Sequence, residues 1–309
     1  MNYLLYSLLL KGGFLMNRRQ KTKLGLTIVP ILMFLCVLPG CAVKTANIWG
    51  SPETGLILKY QMPEGLVLNY ESLSTMTQTL DVMGQIQEVE GETTSSVTFT
   101  SKGQSGSNHK LSATLNKMDM YFATSQGEVT PDSSEAVGKS FEVILSPTGN
   151  ELELIGIKDL KVDMGPDGVQ DLTGEFQDSF PDLAENSVKI GDTWTSTVPV
   201  TQTSSNGEST MMFTHTYTLE GFENVDGYEC VKLSIDTTGT YEGTANQGGM
   251  ELISEGTLEG TGTCHFAYKK GLFVKMVAEG VADGTVFVSS QNLEIPMSRT
   301  FKMESTLVK

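Results

Sequence analysis

Apolar and polar residues alternate with a period of two along nearly all of the chain beyond residue 60. In TMMFTHTYTLEG, Met211, Phe213, His215, Tyr217 and Leu219 share one face, and Thr210, Thr214, Thr216 and Thr218 share the other. Val231, Leu233 and Ile235 alternate with Lys232, Ser234 and Asp236 in the same way, as do Leu111, Ala113 and Leu115 within HKLSATLNK. Phe301, Met303 and Leu307 oppose Lys302, Glu304 and Thr306 near the C-terminus. A period of two places successive side chains on opposite faces of a strand, and one apolar face against one polar face is the pattern of antiparallel sheet with a solvated side. The abundance of Thr in these runs suits a pleated, half-buried surface. Turn chemistry separates the runs at Asp226-Gly227, Lys270-Gly271, Pro147-Thr148-Gly149 and Asp283-Gly284. The expected fold class is therefore all-β and mainly antiparallel.

The runs repeat. FEVILSPTGNELELIG (141–156) and HFAYKKGLFVKMVAEG (265–280) are each strand, turn, strand and Gly, with Gly149 matching Gly271 at an offset of 122, and LSATL (111–115) aligns with VKLSI (231–235) at an offset of 120. This predicts two similar curved-sheet halves, 60–156 and 188–309, each the size of an ordinary domain. Between them, residues 157–187 form a linker. Val169, Leu172, Phe176 and Phe180 have helical spacing there, and Pro181 ends the run. A short amphipathic helix over about 168–179, lying against the sheets, is expected.

The start of the chain breaks the pattern. Residues 1–40 carry five basic residues and no acid, with the cluster RRQKTK (18–23) followed by an uncharged apolar run, Leu24 to Leu38. That run is shorter than the ~20 residues a membrane-spanning helix needs, and it has the basic flank and length of a secretory signal. Leu38-Pro39-Gly40-Cys41 resembles the lipobox of bacterial lipoproteins, although proline replaces the usual small residue at 39. The resemblance implies a signal peptide over 1–40, a diacylglyceryl group on the Cys41 sulfur, and a lipidated tether over 41–59. Met16 opens a well-formed signal without residues 1–15, which read as a miscalled start or, alternatively, as an extended n-region. An uncleaved N-terminal anchor is the other reading.

Removing the leader leaves 16 basic residues against 37 acidic ones, a formal charge of −21. A body so acidic is repelled by nucleic acid and anionic headgroups, so a nucleic-acid partner is not expected. Of four cysteines, Cys36 leaves with the leader and Cys41 is the acylation candidate. Cys230 and Cys264 remain, either as a disulfide pair formed outside the cytoplasm or as two small buried side chains.

FPDLAENSVKIGDTW (180–194) is the most distinctive stretch of the body. Its Val-Lys-Ile-Gly-Asp-Thr-Trp entry into a β-half is similar to that of an uncharacterised family of bacterial lipoproteins. That family shares the layout of lipobox, β-half, linker, β-half and a closing hairpin, here Gly271 to Lys275. It brings no established activity. At the level of fold alone, long curved strands around a short helix resemble the LolA-like and LppX-like lipoprotein carriers, which implies an acyl-binding concave face.

Catalytic chemistry is sparse. No nucleophile elbow, zinc-protease helix or phosphate-cradling loop is present. His215 lies among apolar neighbours and reads as a hydrogen-bonded core residue. His265 follows Cys264 in a strand and so faces the other way, and His109 reads as an exposed loop residue. Asp163, Asp167 and Asp171 have the composition of a calcium loop without the spacing of an EF-hand, so a solvated turn leading into a helix is the first reading and a metal the second. No cofactor is expected. Fifteen methionines suit a pliable apolar cavity or an ordinary core. The expectation is a non-enzymatic, membrane-anchored binding module holding an apolar or lipid-like ligand between sheet and helix. A structural or interaction lipoprotein without a cavity is the alternative, and an envelope hydrolase ranks last.

Overall fold

The computed structural model describes residues 49–51, 54–125, 127–165 and 168–308. The leader, Cys36, Cys41 and Asp167 lie outside the described residues. Two short strands, β1 (Gly50–Ser51) and β2 (Gly55–Leu56), pair with each other. The rest is a single antiparallel sheet. Its strands are β3 (Val67–Val82), β4 (Gln85–Ser105), β5 (Asn108–Thr124), β6 (Gly127–Val129), β7 (Ser140–Leu145), β8 (Glu151–Ile155), β9 (Lys161–Asp163), β10 (Val169–Asp171), β11 (Thr193–Ser204), β12 (Gly207–Val225), β13 (Tyr228–Gln247), β14 (Met250–Ala267), β15 (Leu272–Val288) and β16 (Leu293–Val308). The order across the sheet is β8-β7-β5-β4-β3-β16-β15-β14-β13-β12-β11-β10-β9, with β6 added beside β5.

The expected halves are thus neighbours in one sheet, joined where β16 pairs with β3 from Met297↔Leu80 to Val308↔Asn69. The sheet curls until its edges meet. β8 and β9 are opposite edge strands, yet only residues 156–160 connect them, a reach of about 20 Å. Asp132, just after β6, exchanges both backbone hydrogen bonds with Asp163 on β9 (2.8 and 3.0 Å). Three of the five irregularities in register among the described residues help the curl. They fall between Ser96 and Val97, between Leu219 and Gly221, and between His265 and Phe266, all toward one end of the strands. An extra residue on one strand bends it and increases its twist.

Two local expectations are corrected. Asp283-Gly284 is no turn. It lies within β15, where Gly284 faces Gly256 and the chain runs on to Val288. The helix shrinks to one turn, α1 (Thr173–Phe176), because Val169 to Asp171 pair with β9 as strand β10. The apolar spacing still describes burial there, since Leu172, Phe176 and Phe180 are all buried. Asp171 Oδ1 accepts the Thr173 N–H at 2.9 Å, an Asx-type contact that starts the turn without needing a longer helix.

Inside and outside are opposite in chemistry. Along β14, outward Glu251, Glu255, Thr257 and Glu259 are exposed, while inward Leu258 and Cys264 are buried and Leu252 is half-buried. A barrel standing in lipid carries its apolar band outward, and this sheet carries it inward. No helix among the described residues is long and apolar enough to cross a membrane.

Candidate functional site

The strands are long, about 65–70 Å for the 21 residues of β4, and the curled sheet is filled at one end only. There the segment after β2 runs inward. Leu56, Leu58, Tyr60 and Met62 are buried at 3% exposure or less. The segment is stitched across the sheet by hydrogen bonds from Leu56 N to the Val188 carbonyl (2.7 Å), from Tyr60 N to Pro147 and from Gln61 N to Gly271 (2.8 Å each). Gly149 and Gly271, the two glycines matched by the repeat, adopt φ of +110° and +67°, and a Cβ on either would press on this segment. The linker supplies the rest of the plug. Phe180 packs edge-on against Tyr60 (5.6 Å between centroids), Phe99 (5.0 Å) and Phe273 (6.1 Å).

The Val188–Trp194 motif closes this end as a structural device. Gly191 takes φ +90°, Asp192 Oδ2 accepts the Lys189 N–H at 2.8 Å, and Trp194 stacks on Tyr217 while its indole N–H reaches the Asp182 carbonyl at 2.9 Å. The space between sheet and helix, where a ligand was expected, is therefore occupied by the protein's own aromatic residues. The physical reason is that Leu172, Phe176 and Phe180 have the apolar surface to fill it themselves.

Carboxylates line the inner limit of the plug. Glu151 Oε1 accepts the N–H groups of Ser179 and Phe180, each at 2.8 Å. Burial, and after it the neighbouring Asp178, push the Glu151 carboxyl well above the usual carboxylate range. Burial also raises Asp182, against hydrogen bonds from Ser196 and Asn150 that favour its charged form. A carboxyl that holds its proton more tightly when folded stabilises the fold below its ordinary pKa of 4.5, and that contribution is lost as pH rises through the raised value. Glu151→Gln keeps the acceptor and removes the charge. Its melting temperature is expected to exceed that of the wild type at about pH 7.5 and to match it at about pH 4. A difference independent of pH contradicts this reading.

His215 sits where the plug meets the open part of the sheet. Its Nδ1 is 2.8 Å from Thr237 Oγ1 and its Nε2 is 3.0 Å from Asp178 Oδ2, and Phe213 stacks on the ring. It is the satisfied core histidine that its neighbours in sequence suggest. Beside it lies a cavity of about 70 Å³ lined by Pro181, Tyr217, Ile235, Met276 and Met303. That is room for water and too small for a ligand of the usual ~300 Å³ or more. His265 bonds Glu223 outside the sheet at 3.0 Å, while Cys264 faces inward, so the two lie on opposite faces as expected. His109 departs from expectation. It is buried in β5 with Nε2 3.2 Å from the Tyr60 carbonyl, and burial lowers its pKa.

Cys230 and Cys264 are separate buried thiols. The register sets Cys264 opposite Leu233, which leaves Cys230 three residues along β13 and the pair off the direct alignment that a cross-strand bridge uses. Burial pushes the Cys230 thiol up to about 11 and Cys264 higher still. Equal gel mobility with and without reductant is expected, with no reaction toward a thiol reagent until the protein unfolds. Faster non-reducing migration of the native chain contradicts it. The acidic loop does not converge either. Asp163 and Asp171 sit at opposite ends of the β9–β10 pair, Asp163 Oδ1 accepting the Gly165 N–H and Asp171 Oδ1 that of Thr173. Among the described residues no group of three metal-ligating side chains assembles.

The other end of the sheet is open. Level with His215 and beyond it, the inward positions are largely apolar or small, among them Met76, Phe213, Leu258 and Phe301, with Gln78 and Arg299 as polar exceptions, and most are half-buried. No described element crosses this concave face. A small cluster of Leu80, Val288 and Ile295 closes its far rim. Two pairs of glycines face each other across β14 and β15, Gly256↔Gly284 and Gly260↔Gly280. Aromatic side chains lie over them. Phe301 Cζ is 2.6 Å from where a Gly280 Cβ would be, and Tyr241 Oη is 2.5 Å from that of Gly256. On the outer side of the same row, Asp236, Glu259, Glu279 and Lys302 border a shallow trough of about 660 Å³. Sequence reasoning missed this site. Its signal is the alternate-residue glycine in SEGTLEGTGT and AEGVADGT, where period two persists but one face has lost its side chains.

No family model and no curated protein matches the chain. Among solved structures it is similar to a Bacteroides fragilis protein described as exported with a YmcC-like fold, at 10% identity over 81% of this chain and 97% of that one, with a TM-score of 0.23. It is also similar to the hypothetical lipoprotein YmcC of Escherichia coli (12% identity, 74% and 85% coverage, TM-score 0.21) and to OccK5 (OpdH) of Pseudomonas aeruginosa (7%, 79% and 98%, 0.23). Scores this low transfer neither fold nor function to this chain.

Proposed function

We propose that the chain is an exported, lipid-anchored, non-enzymatic binding protein whose open concave face takes an apolar or lipid-like ligand. One observation carries the reading: beyond His215 the inward face of the sheet stays largely apolar and half-buried with no described element over it. An apolar face left uncovered on a protein otherwise as acidic as this one is a binding surface before it is anything else. The leader and the Leu38–Cys41 lipobox support export and attachment to a membrane through Cys41. The −21 charge of the remainder argues against nucleic acid as partner.

Native mass spectrometry of residues 42–309, purified without the anchor from cells and incubated with a lipid extract, tests the ligand. Discrete lipid adducts are expected, and a protein that stays bare under conditions preserving weak complexes rejects the reading. For the anchor, Cys41→Ala is expected to release the protein or leave it unprocessed; unchanged size and membrane attachment reject lipidation. The second reading, an envelope lipoprotein acting through its surface alone, is favoured by the filled plug and by the ~70 Å³ enclosed space, too small for a lipid.

A further inference from the structure

Apart from Arg18 and Arg19 in the leader, the chain has a single arginine, Arg299 on β16. In register it lies opposite Gln78 of β3 and Ala282 of β15, on the inward face of the open end. The inward positions on the long strands around it carry no carboxylate and no lysine, so it is the one permanent charge on that face. None of the ion pairs among the described residues involves it. Its Nε donates to Gln78 Oε1 at 2.9 Å and a terminal nitrogen donates to the same oxygen, so one neutral acceptor takes two of its five N–H groups. Close by, Tyr241 lies across Gly256 and Gly284, and its buried hydroxyl has no hydrogen-bond partner among the described residues.

A half-buried guanidinium with no counter-ion, beside a buried hydroxyl with no acceptor, is costly unless something supplies the missing negative oxygens. The surrounding Met and Phe side chains offer an apolar surface at the same place. We infer that Arg299 and Tyr241 bind the headgroup of a single-chain amphiphile bearing one carboxylate, whose tail lies along the concave face toward Phe301 and Met76. A carboxylate fits better than a phosphate monoester: there is one cation, and a second negative charge would stand uncompensated within a strongly acidic protein.

This inference rests on the proposed binding role, and the test separates the two. The neutral fluorophore N-phenyl-1-naphthylamine is bound to residues 42–309, then displaced by dodecanoate, dodecyl phosphate or dodecan-1-ol. Dodecanoate is expected to displace it at a concentration about tenfold below that of dodecan-1-ol, with dodecyl phosphate between them. Arg299→Gln is expected to bring dodecanoate to within about threefold of the alcohol, while Arg299→Lys retains most of the preference. Equal potency of acid and alcohol on the wild type overturns the headgroup site and leaves the apolar binding face standing. Dodecyl phosphate outranking dodecanoate overturns the carboxylate assignment. Saturable binding of no probe at all overturns both readings. Far-ultraviolet circular dichroism matching the wild type qualifies each variant, and Tyr241→Phe, which removes only the hydroxyl, gives a second arm should Arg299→Gln misfold. It is expected to weaken dodecanoate about threefold and the alcohol not at all; an equal effect on both overturns the role of Tyr241 and of the pair.

Discussion

Phe180→Ala is expected to lower the unfolding free energy by about 3–5 kcal/mol, the cost typical of deleting a large aromatic side chain from a packed interior. Phe180 is 1% exposed and touches three rings that arrive from distant parts of the chain: Tyr60 from the segment after β2, Phe99 from β4 and Phe273 from β15. The neighbouring backbone is held by Glu151, and Pro181 receives the Tyr60 hydroxyl at 2.9 Å. These supports prevent easy collapse into the cavity, which places the cost toward the upper part of the range. Urea denaturation of residues 42–309 measures it. Phe301→Ala, a ring of similar size on the open face and only half-buried, is the comparison and is expected to cost less than half as much. Equal costs would mean that the open face is as tightly packed as the plug.

Gly280→Val is expected to destabilise by about 1–3 kcal/mol, the penalty of forcing volume into a packed site. The sign is informative, because valine in the middle of a strand ordinarily improves on glycine through higher strand propensity and a smaller loss of backbone entropy. Here a Cβ on Gly280 would fall 2.5 Å from the Glu259 carbonyl oxygen and 2.6 Å from Phe301 Cζ. The glycine therefore supplies the seat for Phe301 and the close approach of β14 to β15. A stabilised Gly280→Val variant, by the same urea experiment, would mean that the glycine pairs play no part in shaping the sheet.

The fold class was readable because period two survives through nearly every long strand, and Met211 to Leu219 or Val231 to Ile235 face inward as their spacing predicts. What the sequence hides is long-range. Pairing of β16 with β3 joins residues more than 200 positions apart, and alternation within a strand says nothing about which strand lies beside it. The helix was overread because Leu172, Phe176 and Phe180 satisfy helical spacing while the polar residues around them pair with β9 instead. Asp283-Gly284 has turn chemistry, yet its glycine answers to Gly256 across the sheet. The site was hidden for the same reason. Arg299 and Tyr241 are 58 positions apart, and only the curled sheet and the glycines between them bring one toward the other.

Under the proposed role the open inward face, and not the plug or the outer surface, receives the ligand. The protein's methionines report on it directly. In residues 42–309 labelled with ¹³C at the methionine methyls, titration with dodecanoate followed by NMR is expected to shift Met76, Met211 and Met297, which point into the concave face. Met62 in the plug and Met212 on the outer face are expected to stay in place. Shifts confined to Met62 or Met212, or a spectrum that does not change at saturating ligand, would contradict the account.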